Sequence, residues 1–194
     1  MNRDDFDAYR ANYPLMGSDE LANWHSTLFD EHPDQNHYSI KGLLAFFDAS
    51  APDDVVEIGG WRGEAAAEVL PKFPDIVSWT NYEICEKAVD RPVCTDKRYR
   101  AYHHKVVEPP SCTTLVCSHV IEHLSDAEVL RMLKATDANL LYVDTPLTDG
   151  GETWNQTTCF HVLQMGWNDL DVAIRAKGFH LLGQHSKTIR WYER

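Results

Sequence analysis

The chain has 194 residues, of which 43% are hydrophobic and 25% charged, as expected for one compact globular domain. Thirty acidic residues against 18 basic ones give a formal net charge of −12. Such a surface repels phosphate backbones and disfavours a nucleic-acid-binding protein. No apolar stretch approaches the roughly 18 residues needed to cross a membrane, and the acidic N-terminal segment is unlike a signal peptide.

Residues 1–52 are predicted to form a helical cap on a core that spans residues 53–194, within a single domain. The first helix begins at Ser18, a capping residue, and ends before Pro33. The second begins at Ser39 and ends at Pro52. Apolar residues at helical spacing form the buried face of each helix. They are Leu21, Trp24, Leu28 and Phe29 in the first helix, and Leu43, Leu44, Phe46 and Phe47 in the second.

From residue 53 onward, short apolar strands alternate with helices. The predicted strands are 55–58, 77–83, 99–103, 114–118, 140–144, 179–184 and 188–192, and the predicted helices are 64–70, 84–89, 126–136 and 168–177. Residues 105–112 hold two prolines and leave little room for a helix. The last two strands can pair with each other in antiparallel fashion. This alternation predicts an α/β protein whose mostly parallel sheet is covered by helices on both faces.

The five cysteines contain no C-x-x-C pair, and their number is odd. Both features favour reduced thiols in a cytoplasmic protein. The cysteines are Cys85, Cys94, Cys112, Cys117 and Cys159.

A glycine-rich turn, in the stretch VVEIGGWRGE, follows the first predicted strand of the core. A dinucleotide-binding loop would need a glycine where Ile58 stands, and a Walker loop would need a Gly-Lys-Ser/Thr sequence. A nicotinamide-dependent oxidoreductase is therefore disfavoured. Glu57, at the end of the strand, would repel a phosphate and suits a ligand with a cationic end.

A second acid, Glu83, ends the next strand, where a carboxylate can accept hydrogen bonds from both hydroxyls of a ribose. A ligand with a ribose, an amino acid part and no phosphate would suit both Glu57 and Glu83. S-adenosylmethionine is such a ligand.

Five segments carry a family resemblance that covers about residues 36–185. EIGGWRG at 57–63 resembles the first motif of class I S-adenosylmethionine-dependent methyltransferases, written E/D-x-G-x-G-x-G, with Trp61 at the central glycine. LVCSHVIEHL at 115–124 resembles the fourth-strand motif of the branch that methylates small molecules, sugars, lipids and quinones. YEI at 82–84, LLYVDTP at 140–146 and residues 161–179 are similar to its other segments. The resemblance implies a Rossmann-like, seven-stranded sheet in the order 3-2-1-4-5-7-6, with strand seven antiparallel.

The resemblance also implies which residues bind the cofactor. They are Glu57, Gly59, Gly60 and Gly63 at the methionine end, Glu83 at the ribose, Ile84 at the adenine, and Ser118 and His119 beside the sulfonium. An acidic residue that would bind the adenine amine is missing after the third strand.

Three histidines, His119, His123 and His161, are catalytic candidates because each is expected near the cofactor end of the sheet. Methyl transfer depends on near-attack geometry, and an oxygen or nitrogen acceptor can also need a base. Structural roles remain open for all three. No metal is predicted, although His119, Glu122, His123 and His161 form an alternative ligand cluster. This cluster is similar to that of metal-dependent terminal 2′-O-methyltransferases of small RNAs.

The predicted function is S-adenosylmethionine-dependent methyl transfer to an oxygen or nitrogen of a small or medium acceptor. The alternative is a non-catalytic binding or scaffold protein of the same fold, which Trp61 and the missing adenine acid would favour. The orientation of Trp61 is decisive, because an indole that filled the methionine end would exclude the cofactor. The oligomeric state stays open.

Overall fold

The computed structural model describes residues 18–31, 39–147, 163 and 165–194. Seven strands form a single sheet, and their bounds are β1 Asp54–Ile58, β2 Ser78–Glu83, β3 Tyr99–His103, β4 Thr114–Ser118, β5 Leu140–Asp144, β6 His180–Gln184 and β7 Ile189–Glu193. Their order is β3-β2-β1-β4-β5-β7-β6, as predicted. β7 runs antiparallel to both β5 and β6, and the pairs from β3 to β5 are parallel.

The helices of the described residues are α1 Ser18–Glu31, α2 Ile40–Ala49, α3 Glu64–Val69, α4 Glu86–Asp90, α5 Asp126–Ala135 and α6 Trp167–Arg175. A short 3-10 turn, Ile121–His123, follows β4. Ser39 caps α2, and Ser125 and Glu128 form a capping box at the start of α5. Between β3 and β4 the described chain has no helix, as the two prolines predict.

Helices cover both faces of the sheet. Side chains of α2 and α3 pack with Val55 and Val116 on one face, and side chains of α5 and α6 pack with Val56 and Leu115 on the other. The central strands β4 and β5 are buried along their whole length, because both faces of a parallel sheet are covered. The fold class predicted from the sequence is confirmed.

The two N-terminal helices differ in their contacts. α2 packs directly on the sheet, where the Phe47 and Trp79 rings stack with centroids 5.5 Å apart. α1 packs instead against α4, and its Phe29 is 2% exposed. The predicted cap Ser18 and the predicted apolar residues Leu21, Trp24 and Leu28 have side chains outside the described part of the structure.

The parallel strands β1 to β5 bring their carboxyl ends to one edge of the sheet, which is called the carboxyl edge below. The last residues of these strands are Ile58, Glu83, His103, Ser118 and Asp144. Ligands of open α/β sheets bind at this edge. Among the described residues, no helix has the length and apolar character required to cross a membrane.

Arg98 connects the chain before β3 to the segment after α3. Its guanidinium donates hydrogen bonds to the carbonyls of Leu70 (2.7 Å) and Ile76 (2.9 Å) and to the Asp96 carboxylate (2.7 Å). The side-chain and backbone hydrogen bonds from Arg98 to Asp96 lower the pKa of that carboxyl to about 2. We expect Arg98→Ala to lower the free energy of unfolding by about 2 kcal/mol, because several charge-assisted hydrogen bonds are lost together. Urea denaturation measures the change. Arg131→Ala, at an exposed position of α5, is the control, and equal midpoints for the two variants would contradict the prediction.

Candidate active site

The glycine loop after β1 is shaped by contacts with the rest of the protein. Gly59 and Gly63 have φ angles of 72° and 82°, in the left-handed region that favours glycine. A Cβ on Gly59 would collide with Val120, and one on Gly63 would lie 2.5 Å from the Tyr99 ring. The sequence-based interpretation is that a ligand approaches the backbone closely at these glycines. The structure gives a second reason, because side chains of the protein itself leave no room for a Cβ at either position.

Asn81, fully buried on β2, holds the loop in place. Its Oδ1 accepts a hydrogen bond from the Gly60 N–H at 2.9 Å, and its Nδ2 donates to the Trp61 carbonyl at 3.1 Å. The sequence does not single out Asn81. Its signal is the alternation of β2, in which Trp79, Asn81 and Glu83 are the buried positions, so that a polar residue at the middle one needs a partner.

Glu57 lies beneath the loop and is 0% exposed. Its Oε2 accepts a hydrogen bond from the Trp79 indole at 2.8 Å, and a Cβ on Gly60 would collide with it. The structure therefore gives Glu57 a role in supporting the loop. Direct contact of Glu57 with the cationic end of a ligand stays a prediction.

Glu83 ends β2 at the carboxyl edge and is 2% exposed. Its Oε1 accepts from the Cys85 N–H at 2.8 Å and its Oε2 from the Trp61 N–H at 2.9 Å. Burial raises the pKa of Glu83, and the backbone hydrogen bonds oppose that rise. A carboxylate can accept about four hydrogen bonds, so these two occupy part of its capacity. Ile84, the predicted adenine contact, follows directly and is partly buried.

Trp61 replaces the central glycine of the methyltransferase pattern and has a left-handed φ of 45°. For a residue other than glycine this conformation costs on the order of 1 kcal/mol. The indole is 7% exposed and packs against α1 and α4, with its ring centroid 5.6 Å from that of Phe29. Surrounding contacts therefore hold Trp61 in an unfavourable backbone conformation.

Ser118 and His119 occupy the end of β4, next to the loop. Ser118 is 4% exposed, and its Oγ has no hydrogen-bond partner within the part of the chain that the structure describes. His119 has a left-handed φ of 53°, which marks a constrained turn. Buried hydroxyls are usually paired, so the Ser118 Oγ retains capacity for a hydrogen bond at the carboxyl edge.

Two buried carboxylates flank His119. Its Nδ1 lies 3.4 Å from Oε1 of Glu122, and its Nε2 lies 3.9 Å from Oδ2 of Asp144 at the end of β5. Glu122 and Asp144 are 1% and 3% exposed, and Glu122 also accepts a hydrogen bond from the Thr145 hydroxyl at 2.9 Å. The sequence groups Glu122 with His119 only in the alternative metal cluster, and the structure joins both residues to Asp144.

The pKa values of His119 and Asp144 are both raised, for different reasons. Burial lowers the pKa of His119, but the hydrogen bond and charge of Glu122 and the charge of Asp144 outweigh it, so the net shift is upward. Burial raises the pKa of Asp144 to about 6, against the opposing effect of His119. Shifts of this kind are frequent in active sites, although buried ion pairs elsewhere also produce them.

The other two histidine candidates are separate from this cluster or outside the described residues. His123 lies in the 3-10 turn, where its ring centroid is 6.0 Å from that of His25 on α1. His161 lies outside the described residues. No group of three or more potential metal ligands occurs among the residues with a described position.

The sheet order is that of class I S-adenosylmethionine-dependent methyltransferases, and solved structures of such proteins share the fold. No protein-family model matches the chain. The O-methyltransferase bfoE of Aspergillus brasiliensis (strain CBS 101740 / IMI 381727 / IBT 21946) is 28% identical in an alignment 151 positions long, which covers 62% of this chain and 40% of that protein.

Two solved structures share the fold over most of the chain. Human N-acetylserotonin methyltransferase in complex with its cofactor SAM superposes with a TM-score of 0.63 and 15% identity, over 94% of this chain and 58% of that one. The mitomycin 7-O-methyltransferase MmcR superposes with a TM-score of 0.60 and 20% identity, over 80% of this chain and 52% of that one. The chain thus spans between 40% and 58% of these three proteins. At the level of the fold, the resemblance to class I methyltransferases is confirmed.

Proposed function

We propose that the chain transfers a methyl group from S-adenosylmethionine to an oxygen or nitrogen of a small or medium acceptor molecule. The observation that carries the proposal is the arrangement of the carboxyl edge. The glycine loop after β1 lies between Glu83 on one neighbouring strand and the pair Ser118 and His119 on the other. These elements have the sheet order of a methyltransferase.

The residues at this edge have the chemistry that the cofactor requires. Glu83 has capacity for ribose hydroxyls, and the Ser118 hydroxyl is buried without a partner among the described residues. The loop has neither the first glycine of a dinucleotide motif nor a Walker lysine, so phosphate binding is disfavoured. When bound, the cofactor would supply an electrophilic methyl group on a sulfonium.

His119 is the proposed base, and this favours an oxygen acceptor, because a hydroxyl must lose its proton. If the Nδ1–H of His119 points to Glu122, then Nε2 is the unprotonated nitrogen that can accept a proton from the acceptor. The carboxylate of Asp144, 3.9 Å from Nε2, would then stabilise the imidazolium. The O-methyltransferase names of bfoE and MmcR support the same acceptor atom.

Calorimetry with S-adenosylmethionine and S-adenosylhomocysteine tests the proposal. We expect both to bind below millimolar concentration, and a screen of metabolite pools for S-adenosylhomocysteine release would then identify the acceptor. If a folded protein bound neither ligand at millimolar concentration, the carboxyl edge would not be a cofactor site. The alternative of a non-catalytic binding protein, which the near-complete burial of Glu83 favours, would then replace the proposal.

The proposal extends to the partners and the compartment. The net charge of −12 disfavours a nucleic-acid acceptor. Four cysteines of the described part, Cys85, Cys94, Cys112 and Cys117, are free thiols and buried, which suits a reducing compartment such as the cytoplasm.

The raised pKa of His119 provides a second test. We expect Glu122→Gln to lower the pKa of His119, because the variant removes a hydrogen-bonded negative charge while burial of the imidazole remains. The C2 proton of His119, followed by NMR between pH 5 and 9, measures the shift. A histidine must be neutral to act as a base. The rate of the wild-type protein should therefore increase with pH in a range higher than about 6.5, the ordinary pKa of histidine.

Glu108→Gln, at an exposed position after β3, is the matched control and should leave the His119 titration unchanged. An unaltered pKa of His119 in Glu122→Gln would show that Glu122 does not hold the imidazole.

A further inference from the structure

We propose that Trp61 is a positioning residue that holds α1 over the cofactor site as a cover. The inference rests on the proposed function and adds to it how the cofactor is enclosed. It assigns a role to the tryptophan that stands in place of the central glycine of the methyltransferase pattern, and it makes α1 a part of the site.

If Glu83 binds the ribose, its burial requires that the site has a cover. Glu83 is the predicted ribose ligand, yet it is 2% exposed, and its two oxygens accept hydrogen bonds from the backbone of Trp61 and Cys85. A ligand hydroxyl can reach this carboxylate only when the groups above it move. Trp61 is one of these groups through its own N–H.

The Trp61 side chain joins the loop to α1. Its ring centroid lies 5.6 Å from that of Phe29 and 5.8 Å from that of His25. Phe29 is 2% exposed and belongs to a small apolar cluster with Trp61, Cys85 and Ala88, apart from the two large clusters on the faces of the sheet. A movement of the loop at Trp61 is therefore transmitted directly to α1.

α1 has described contacts on both sides of the glycine loop. On the β2 side, the Asp30 carboxylate and the Lys87 ammonium of α4 form an ion pair at 2.5 Å. On the β4 side, the His25 ring is 6.0 Å from that of His123. The helix thus crosses the loop between the predicted ribose and sulfonium positions.

Other contacts of the described α1 side chains involve charged groups. The guanidinium groups of Arg62 and Arg91 lie 5.9 Å and 5.7 Å from the centroid of the Phe29 ring. The ion pair of Asp30 and Lys87 is solvent-exposed, and exposed pairs of this kind contribute little to stability. Among the described side chains, Phe29 and His25 link α1 to Trp61 of the loop. Loss of the indole would therefore weaken the attachment of α1 to the loop.

Trp61 can either hold α1 or block the methionine end of the site, and these two roles predict opposite effects of the Trp61→Gly substitution. If Trp61 holds the cover, Trp61→Gly should raise both the Kd and the dissociation rate of S-adenosylhomocysteine, by about tenfold or more, because the cover no longer closes. If Trp61 fills the methionine end, the same variant should bind more tightly. The sign of the change in Kd therefore decides between the two roles.

The experiment measures Kd by calorimetry and dissociation by stopped flow, with S-adenosylhomocysteine as the probe. Hydrogen–deuterium exchange of residues 22–31 reports on α1, and we expect the probe to protect this segment in the wild type. Phe29→Ala should reproduce the effect of Trp61→Gly without altering the loop backbone. Trp61→Phe, which keeps an aromatic ring, should stay close to the wild type, and Val172→Ala at an exposed position of α6 is the control.

Tighter binding by Trp61→Gly would overturn the inference. A second result would also overturn it. If α1 exchanged faster in Trp61→Gly and Phe29→Ala while the Kd and the dissociation rate stayed unchanged, opening of the cover would have no effect on binding. If the folded wild type and all variants failed to bind the probe at millimolar concentration, the proposed function and the inference would fall together.

Discussion

Replacement of Glu83 by alanine is expected to weaken binding of S-adenosylmethionine by about 100-fold or more. Two losses combine in this variant. The first is the carboxylate that would accept hydrogen bonds from the ribose hydroxyls. The second is the hydrogen-bond acceptor of two backbone groups, because the N–H groups of Trp61 and Cys85 both donate to the Glu83 carboxylate. Calorimetry with S-adenosylmethionine and S-adenosylhomocysteine measures the change.

Two further variants separate these losses. Glu83→Gln keeps the size of the side chain and one acceptor oxygen, so its affinity should lie between those of the wild type and Glu83→Ala. Glu86→Gln, at an exposed position of the adjacent α4, removes the same charge without touching the loop and should bind normally. An affinity of a folded Glu83→Ala protein within a few fold of the wild type would remove Glu83 from the proposed ribose site.

Asp144 is expected to make the stability of the protein depend on pH in an unusual direction. Burial raises its pKa in the folded protein to about 6, from the ordinary value of 3.8. Folding therefore favours the protonated form of Asp144. Its contribution to stability is fully present below about pH 4 and is lost as the pH rises through about 6. A shift of this size corresponds to roughly 3 kcal/mol.

Asp144→Asn removes this titration. The variant should lose less stability than the wild type between pH 4 and pH 8, by up to roughly 3 kcal/mol in the free energy of unfolding. Urea denaturation at the two pH values measures the difference, and NMR of His119 reports the accompanying fall in its pKa. Asp75→Asn, at an exposed position, is the control. Identical pH dependence in Asp144→Asn and the wild type would show that Asp144 titrates normally.

Much of the fold follows from local patterns in the sequence. The apolar runs at β1, β4 and β5 predict buried strands because a parallel sheet covered on both faces has no polar side. Several element boundaries differ from the prediction by one or two residues, and one of these differences has a local reason. Helix α4 begins at Glu86 rather than at residue 84, since the Cys85 N–H donates to the Glu83 carboxylate and Cys85 itself is extended.

The partners of the candidate site residues could not be predicted in the same way. The alternation of β2 indicates that Asn81 is buried, but its partners in the loop lie about 20 residues away in the chain. The cluster of His119, Glu122 and Asp144 joins the ends of two strands whose separation depends on the register between β4 and β5.

The sequence by itself determined the alternation of strands and helices, the acids at the ends of two strands, and the segments that resemble methyltransferase motifs. Each of these depends on residues close together in the chain. The tertiary structure alone decided that Glu57 supports the loop, that Glu83 is covered, and that Trp61 packs against α1. The reason is physical, because side-chain burial and orientation depend on elements that pack together from distant parts of the chain.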